Sequence, residues 1–362
     1  MRITIFIGGL IGGGAERVAC NLANSLTAFG HTVEMLTMSD AKGSYPLDGC
    51  ITRVDLLKEC ERKNDIYNTL LRMRRLRRYL KEHTEVDAYV VMLPVTITMM
   101  ILARGATKAK IILSERNDPV NYSSLIQKLM RYSCKKADGM VFQTDAVKAW
   151  YAKDLKKTES AVISNAINPA FIRPAYEGER EKVIVGVGRF DTQKNFPLLI
   201  RAFARIAGKF PDYKLAMYGQ GRLLESYQSL AAELGIGGRV EFPGFCTNMP
   251  ERLERAGMFV LSSDFEGMPN ALMEAMASGL PCVSTDCGGG GARFLIRDGE
   301  NGLLVPIGDE VALADAMEKV LSDEELAAKL GNTARKLQET LAPDKIYGEW
   351  ESFITKLWRE TI

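Results

Sequence analysis

The sequence predicts an α/β protein made of two Rossmann-like domains in tandem, with mostly parallel sheets facing an interdomain cleft. Three observations predict it. Short β-branched runs alternate with helix-length patterns along the 362 residues, as right-handed βαβ units require. Most runs are continuously apolar, which suits strands buried on both faces of a parallel sheet. The series of runs also occurs twice, separated by "NPAFIRPAYEGEREK" at 168–182, whose two prolines and charge run read as a linker.

In order, the first series is "RITIFIGGL", "HTVEMLTM", "DAYVVML", "AKIILSE", "DGMVFQT" and "SAVISNAI". The second is "KVIVGVGRF", "YKLAMYG", "RVEFPGF", "GMFVLSS", "PCVSTD" and "GLLVP". The expected boundaries are an N-terminal domain over 1–168, a linker over 169–181 and a C-terminal domain over 182–344. The last stretch, "DKIYGEWESFITKLW", is amphipathic and helical. A C-terminal helix over 345–362 is free to pack back on the first domain, but its docking partner is not written in the sequence.

Composition narrows the class. Hydrophobic and charged fractions of 46% and 25% are those of a soluble globular protein, long enough for two cores. The seven cysteines are odd in number and form no C-x-x-C, which favours a reducing, cytosolic setting without a zinc or disulfide framework. The apolar opening "MRITIFIGGLIGGG" reads as a strand ending in a glycine turn, because no cleavage-like segment follows it. "AYVVMLPVTITMMILA", 16 residues interrupted by Pro94, is shorter than the roughly 20 of a spanning helix. A buried strand followed by a buried helix is the expectation there. Net charge is +2, yet residues 1–178 carry 26 Lys and Arg against 18 Asp and Glu. A basic half joined to an acidic one suggests that the first half meets something anionic.

Ligands of open parallel sheets bind beyond the carboxyl ends of the strands, and the chemistry-bearing residues fall there. In "EGMPNALMEAMASGLPCV", Glu266 lies in the loop after the strand "GMFVLSS". Glu274 lies in the first two turns of a helix closed by Gly279 and Pro281. Pro269 suits a first helical position. The N–H groups of Met268, Asn270, Ala271 and Leu272 then point towards the cleft, where a helix N-terminus binds anions. "VGVGRFDTQKNF" places Arg189 directly after the first strand of the second domain and Lys194 five residues later. They are positioned to hold a diphosphate against that helix, or they are solvated surface charges. In "GGLIGGGAERV", Gly12 and Gly14 fit a dinucleotide fingerprint, but Arg17 occupies its third glycine position, so the NAD reading is weak. A glycine loop still lets the backbone approach a ligand. The chain has no D-x-D, and His31 and His83 suggest no Ser-His or Cys-His dyad.

Taken together, "EGMPNALMEA", "VGRFDTQK", "GGGAERV" and "DGENGLLVP" resemble the retaining glycosyltransferases of family 4, which have the two-domain GT-B fold. The resemblance covers nearly the whole chain. It implies that Glu266 and Glu274 are the family's E-x7-E pair, the first contacting donor-sugar hydroxyls and the second the nucleotide ribose. Arg189 and Lys194 would hold the donor diphosphate, with Gly13 and Gly14 approaching it from the other domain. Gly244, Phe245 and Cys246 would receive the base, and Gly267 to Leu272 would line the donor. It implies front-face substitution with retention, in which the leaving diphosphate takes the acceptor's proton, with no metal or other cofactor beyond a nucleotide sugar, expected to be UDP-linked. Two departures stand out. Relatives acting on lipid acceptors have a histidine where "SERND" has Arg116, and many have a glutamate near Phe294 that this chain lacks. Arg17, Glu115 and Arg116 fall on the acceptor side.

"TLLRMRRLRRYLKEH", 69–83, sets six cations among leucines and a methionine. Leu70, Met73, Leu76 and Leu80 form the expected inward stripe, leaving Arg72, Arg75 and Lys81 outward. Either this is a solvated basic face, or the helix meets an anionic membrane surface. Relatives that extend polyprenyl-diphosphate-linked glycans use a basic helix here. The resulting expectation is a lipid-linked glycan acceptor, a cytoplasmic protein peripheral to the inner membrane face, and no nucleic-acid partner. Two alternatives stay open: a nucleotide-sugar epimerase of the same architecture, which would need acid/base residues in its cleft, and a non-enzymatic nucleotide-sugar-binding protein. A glycosidase reading fails, because Glu274 sits on a helix rather than across a sugar.

Overall fold

The structure, a computed structural model, describes residues 1–40, 45–61 and 63–360. It divides into two units, Met1–Ala166 with Asp344–Ile362, and Ile167–Pro343. Both are α/β, each built on one parallel sheet.

In the first unit, strands β1 (Arg2–Ile7), β2 (Thr32–Thr37), β3 (Thr52–Asp55), β4 (Ala88–Met92), β5 (Lys110–Ser114), β6 (Gly139–Phe142) and β7 (Glu159–Val162) take the order β3-β2-β1-β4-β5-β6-β7. All its neighbours pair in parallel. Strands β4 and β6, each flanked on both sides, are wholly buried, as continuous apolar runs should be. Strand β3 is absent from the sequence reading. Its four residues, "TRVD", alternate charge with apolar character and are exposed or half-buried at the sheet edge, so no apolar run announces them.

In the second unit, β8 (Val183–Val187), β9 (Lys214–Tyr218), β10 (Val240–Gly244), β11 (Met258–Leu261), β12 (Cys282–Thr285) and β13 (Leu303–Val305) take the order β10-β9-β8-β11-β12-β13. Each coincides with an expected run. The order reverses between β8 and β11, which makes the loops after those two strands the natural ligand position.

The expected linker is part of the second unit. Arg173 pairs with Glu254 at 3.0 Å, and Arg180 donates to the carbonyls of Glu254, Ala256 and Gly279. The charges that made this stretch look like a solvated connector are the groups that dock it. The C-terminal helix, Pro343–Arg359, belongs with the first unit from Asp344 onward. The Trp358 indole donates to Asp87 at 3.0 Å, and Lys356 pairs with Glu159 at 2.8 Å. Gly139 on β6 makes room for it: a Cβ there would stand 2.5 Å from Leu357 Cδ1. The last two residues of the expected 345–362 helix lie outside the described residues. Among the described residues no helix is long and apolar enough to cross a membrane. Residues 88–103 form β4 and the helix Pro94–Leu102.

Candidate active site

The two loops at the switch point of the second sheet meet. After β8, Phe190 is buried and packs edge-to-face on Phe196 and Tyr227, with ring centroids 5.5 Å away in each case. Its amide donates to the Gln220 carbonyl at 2.9 Å. This anchor fixes the loop that carries Gln193, Lys194 and Asn195. Asn195 adopts the left-handed conformation (φ 42°) and its amide group donates to Asp264 at 2.7 Å. Lys194 is thereby directed at the loop after β11, where its Nζ lies 2.5 Å from Glu266 Oε1.

Glu266 is 7% exposed and held from several sides. The Ser263 hydroxyl donates to the same oxygen at 2.8 Å, and Gln193 Nε2 lies 3.5 Å from the other. Gln193 also donates to the Phe265 carbonyl at 2.9 Å, and the Glu266 amide donates to Gly288 at 3.0 Å. The carboxylate is thus preorganised, with the ammonium fixed beside it.

The following helix is Asn270–Ala277, with Pro269 at its cap rather than its first position. Pro269 offers no side-chain acceptor to the first N–H groups of the helix. Gly267, Met268, Pro269 and Leu272 are buried, while Asn270 and Ala271 are partly exposed. Glu274, in the helix, is 6% exposed. Against the helix start lies the loop 288–291. Gly289 and Gly290 have φ of 85° and 74°, and a Cβ on Gly291 would sit 2.0 Å from the Gly267 carbonyl oxygen. Only glycine permits that approach.

Arg189 behaves differently from Lys194. Its side chain is 78% exposed, and Asp191 stands 3.5 Å from its Nε. At the end of β10, Gly244 has φ 77°, Phe245 is 77% exposed and Cys246 is half-buried.

In the first unit, Gly13 caps the helix Gly14–Ala28, which Glu16 and Arg17 enter in its first turn. Glu115 and Arg116, expected on the acceptor side, are 1% and 6% exposed. The Glu115 carboxylate accepts from the hydroxyls of Tyr122 and Tyr151, each at 2.7 Å, and from the amides of Arg116 and Asn117. Burial pushes its carboxyl above the usual range. It fastens two tyrosines, each just past the end of a helical segment, to the end of β5.

The models of two families match in succession: Glycosyltransferase Family 4 over residues 12–171 and Glycosyl transferases group 1 over 170–337. The chain is 31% identical to the N-acetylgalactosamine-N,N'-diacetylbacillosaminyl-diphospho-undecaprenol 4-alpha-N-acetylgalactosaminyltransferase of Campylobacter jejuni, covering 92% of this chain and 94% of that one. The chain is a family 4 glycosyltransferase. It is 27% identical to a second Campylobacter jejuni enzyme, a GalNAc-alpha-(1->4)-GalNAc-alpha-(1->3)-diNAcBac-PP-undecaprenol alpha-1,4-N-acetyl-D-galactosaminyltransferase, over 99% of both chains. Its fold matches sucrose-phosphate synthase from Thermosynechococcus elongatus with a TM-score of 0.87, 19% identity and 99% coverage of both. Staphylococcus aureus TarM, solved with UDP, matches with a TM-score of 0.80, 16% identity and coverage of 98% and 99%. The fold is GT-B, as the motifs implied.

The basic helix of the glycosyltransferase runs Asp65–Glu82, and its faces differ from expectation. It buries Asn68, Leu76, Tyr79 and Leu80, while Leu70 is 66% exposed. Arg72 donates to the Met38 carbonyl at 3.1 Å, and Arg75 makes two hydrogen bonds to Glu61 at 2.7 and 2.6 Å. Both turn back onto their own unit. The outward cations are Arg74, Arg77, Arg78 and Lys81, around a groove of about 500 Å³ shared with Leu70 and Met73. Of the expected stripe, Leu76 and Leu80 are buried, Met73 is half-buried and only Leu70 faces outward; Lys81 is outward as expected.

Gln193, Ser263 and the loop 288–291 escaped the sequence reading of the glycosyltransferase site. Gln193 stood directly before Lys194 and Ser263 three residues before Glu266. The four-glycine run 288–291 is itself a signal of close backbone approach.

Proposed function

We propose that this enzyme transfers a hexose or N-acetylhexosamine, with retention of configuration and without a metal, from a UDP-linked sugar to a polyprenyl-diphosphate-linked glycan. The work belongs to surface polysaccharide or glycoconjugate synthesis, with the protein peripheral at the inner face of the membrane. One observation carries the donor reading: the Lys194–Glu266 pair at the switch point of the second sheet, beside an uncapped helix start. An ammonium and a positive helix end suit a diphosphate. Glu266 accepts hydrogen bonds from sugar hydroxyls, and the buried Glu274 addresses the ribose. Arg189, exposed on its long stem, folds over the diphosphate when it arrives. Gly244, Phe245 and Cys246 offer a backbone turn and an aromatic face to the base. The UDP in TarM supports the choice of nucleotide.

The acceptor rests on the two Campylobacter relatives, both named for diphospho-undecaprenol glycans. The cations Arg74, Arg77, Arg78 and Lys81 provide a face for a lipid headgroup or acceptor diphosphate. No protein base is required: as the sugar bond breaks, the leaving phosphate oxygen takes the acceptor's proton on the same face. Lys194 and Arg189 stabilise the charge that develops.

The test is transfer from UDP-GlcNAc, UDP-GalNAc and UDP-glucose to an undecaprenyl-diphosphate-linked N-acetylhexosamine in excess EDTA, with the product's anomeric configuration read by NMR. An α-linked product from an α-linked donor is expected. An inverted product overturns the retaining mechanism, activity restored only by Mg²⁺ or Mn²⁺ overturns metal independence, and epimerised UDP-sugar without acceptor overturns transfer itself.

A further inference from the structure

We propose that Arg116 is the floor of a second anion site, in the first unit, that takes a phosphate group. Its Nε, Nη1 and Nη2 are all buried and have no hydrogen-bond partner among the described residues. The Trp350 indole Nε1 is orphaned in the same way, and the guanidinium carbon lies 5.9 Å from the Trp350 ring. A guanidinium has five N–H donors, and buried donors left unmade are expensive and rare. The adjacent Glu115 balances its charge through space, but that carboxylate is held by Tyr122, Tyr151 and two amides. An acceptor with several oxygens would satisfy these donors, and a phosphate matches the fork of an arginine.

The place is right for a ligand. Arg116 follows β5 at its carboxyl end, where parallel sheets bind. Arg17, half-buried in the first turn of the helix Gly14–Ala28, and Arg116 both bring positive charge to bear on the Tyr347 hydroxyl. Burial lowers the Arg116 guanidinium to about 10, so it stays charged at neutral pH.

The inference rests on the proposed transfer only for its probes, UDP for the donor's phosphates and geranyl diphosphate for those of a prenyl acceptor. Each is titrated calorimetrically into the full chain and into Arg116→Met and Arg116→Lys. Arg116→Met is expected to weaken one probe roughly tenfold or more, the worth of a charged hydrogen bond, with partial recovery in Arg116→Lys. Its melting temperature without ligand should not fall, because an orphaned buried charge has been removed. Loss of geranyl diphosphate binding assigns the site to the acceptor, loss of UDP binding to the donor, and loss of both to the phosphate they share. Unchanged affinity for both probes, or an Arg116→Met chain that no longer folds, overturns the proposal. A parent that binds geranyl diphosphate but not UDP strikes the donor reading and leaves this one standing.

Discussion

Lys194 and Glu266, 72 residues apart in the chain, meet as an ion pair of 2.5 Å with side chains only 16% and 9% exposed. Removing one partner leaves the other buried and unpaired, which costs more than the pair contributes. Lys194→Met is expected to lower unfolding free energy by about 2 kcal/mol and kcat about a hundredfold. Combining it with Glu266→Gln should return most of the stability and none of the activity. Urea unfolding beside single-turnover transfer checks this; a parent-like kcat in Lys194→Met would place the diphosphate elsewhere.

Gly291→Ala sets a Cβ 2.0 Å from the Gly267 carbonyl oxygen and 2.7 Å from Pro269 Cδ, so the loop or the helix start must shift. The expected result is a loss of about 1–3 kcal/mol in stability and roughly tenfold weaker UDP binding. Gly348→Ala is the control. It lies in the C-terminal helix with nothing within 4 Å of the new atom, and should stabilise by about 1 kcal/mol with UDP affinity unchanged. Equal UDP affinity in Gly291→Ala would show that the glycine loop does not shape the donor site.

Changing Arg74, Arg77, Arg78 and Lys81 together to Ser should weaken association with phosphatidylglycerol vesicles by roughly 1 kcal/mol per cation, less as salt rises. Changing Arg72 and Arg75 should instead lower the melting temperature, since they bond to Met38 and Glu61. Vesicle co-sedimentation and thermal melts separate the two sets. If the quadruple variant sediments like its parent, the helix is a solvated face.

The Arg75 guanidinium holds the Glu61 carboxyl well below its ordinary 4.5, at about 2. A depressed acid stabilises the fold above its unfolded value, and that contribution disappears as pH falls through the folded one. The melting-temperature gap between the parent and Glu61→Gln should therefore be full above about pH 5 and shrink towards about pH 2. A gap independent of pH would mean the pair does not hold the helix in solution.

Sequence alone determined what local pattern and chain proximity encode. Buried parallel strands need largely apolar runs, so β1, β2, β4, β5, β6, β7 and every strand of the second unit were legible, and so were Glu266 and Lys194 in the loops that follow two of them. The edge strand β3 was not, because a strand exposed at an edge has no such run. Tertiary structure alone decided which half of the basic helix is covered. With arginines at nearly every position from 72 to 78, the helical period carries no sign of direction, and contact with Met38 and Glu61 turned Arg72 and Arg75 inward. It also decided that Arg116 is enclosed beside Trp350 of the C-terminal helix. Burial of a charge depends on what arrives from elsewhere in the chain, and those partners lie more than two hundred residues from Arg116.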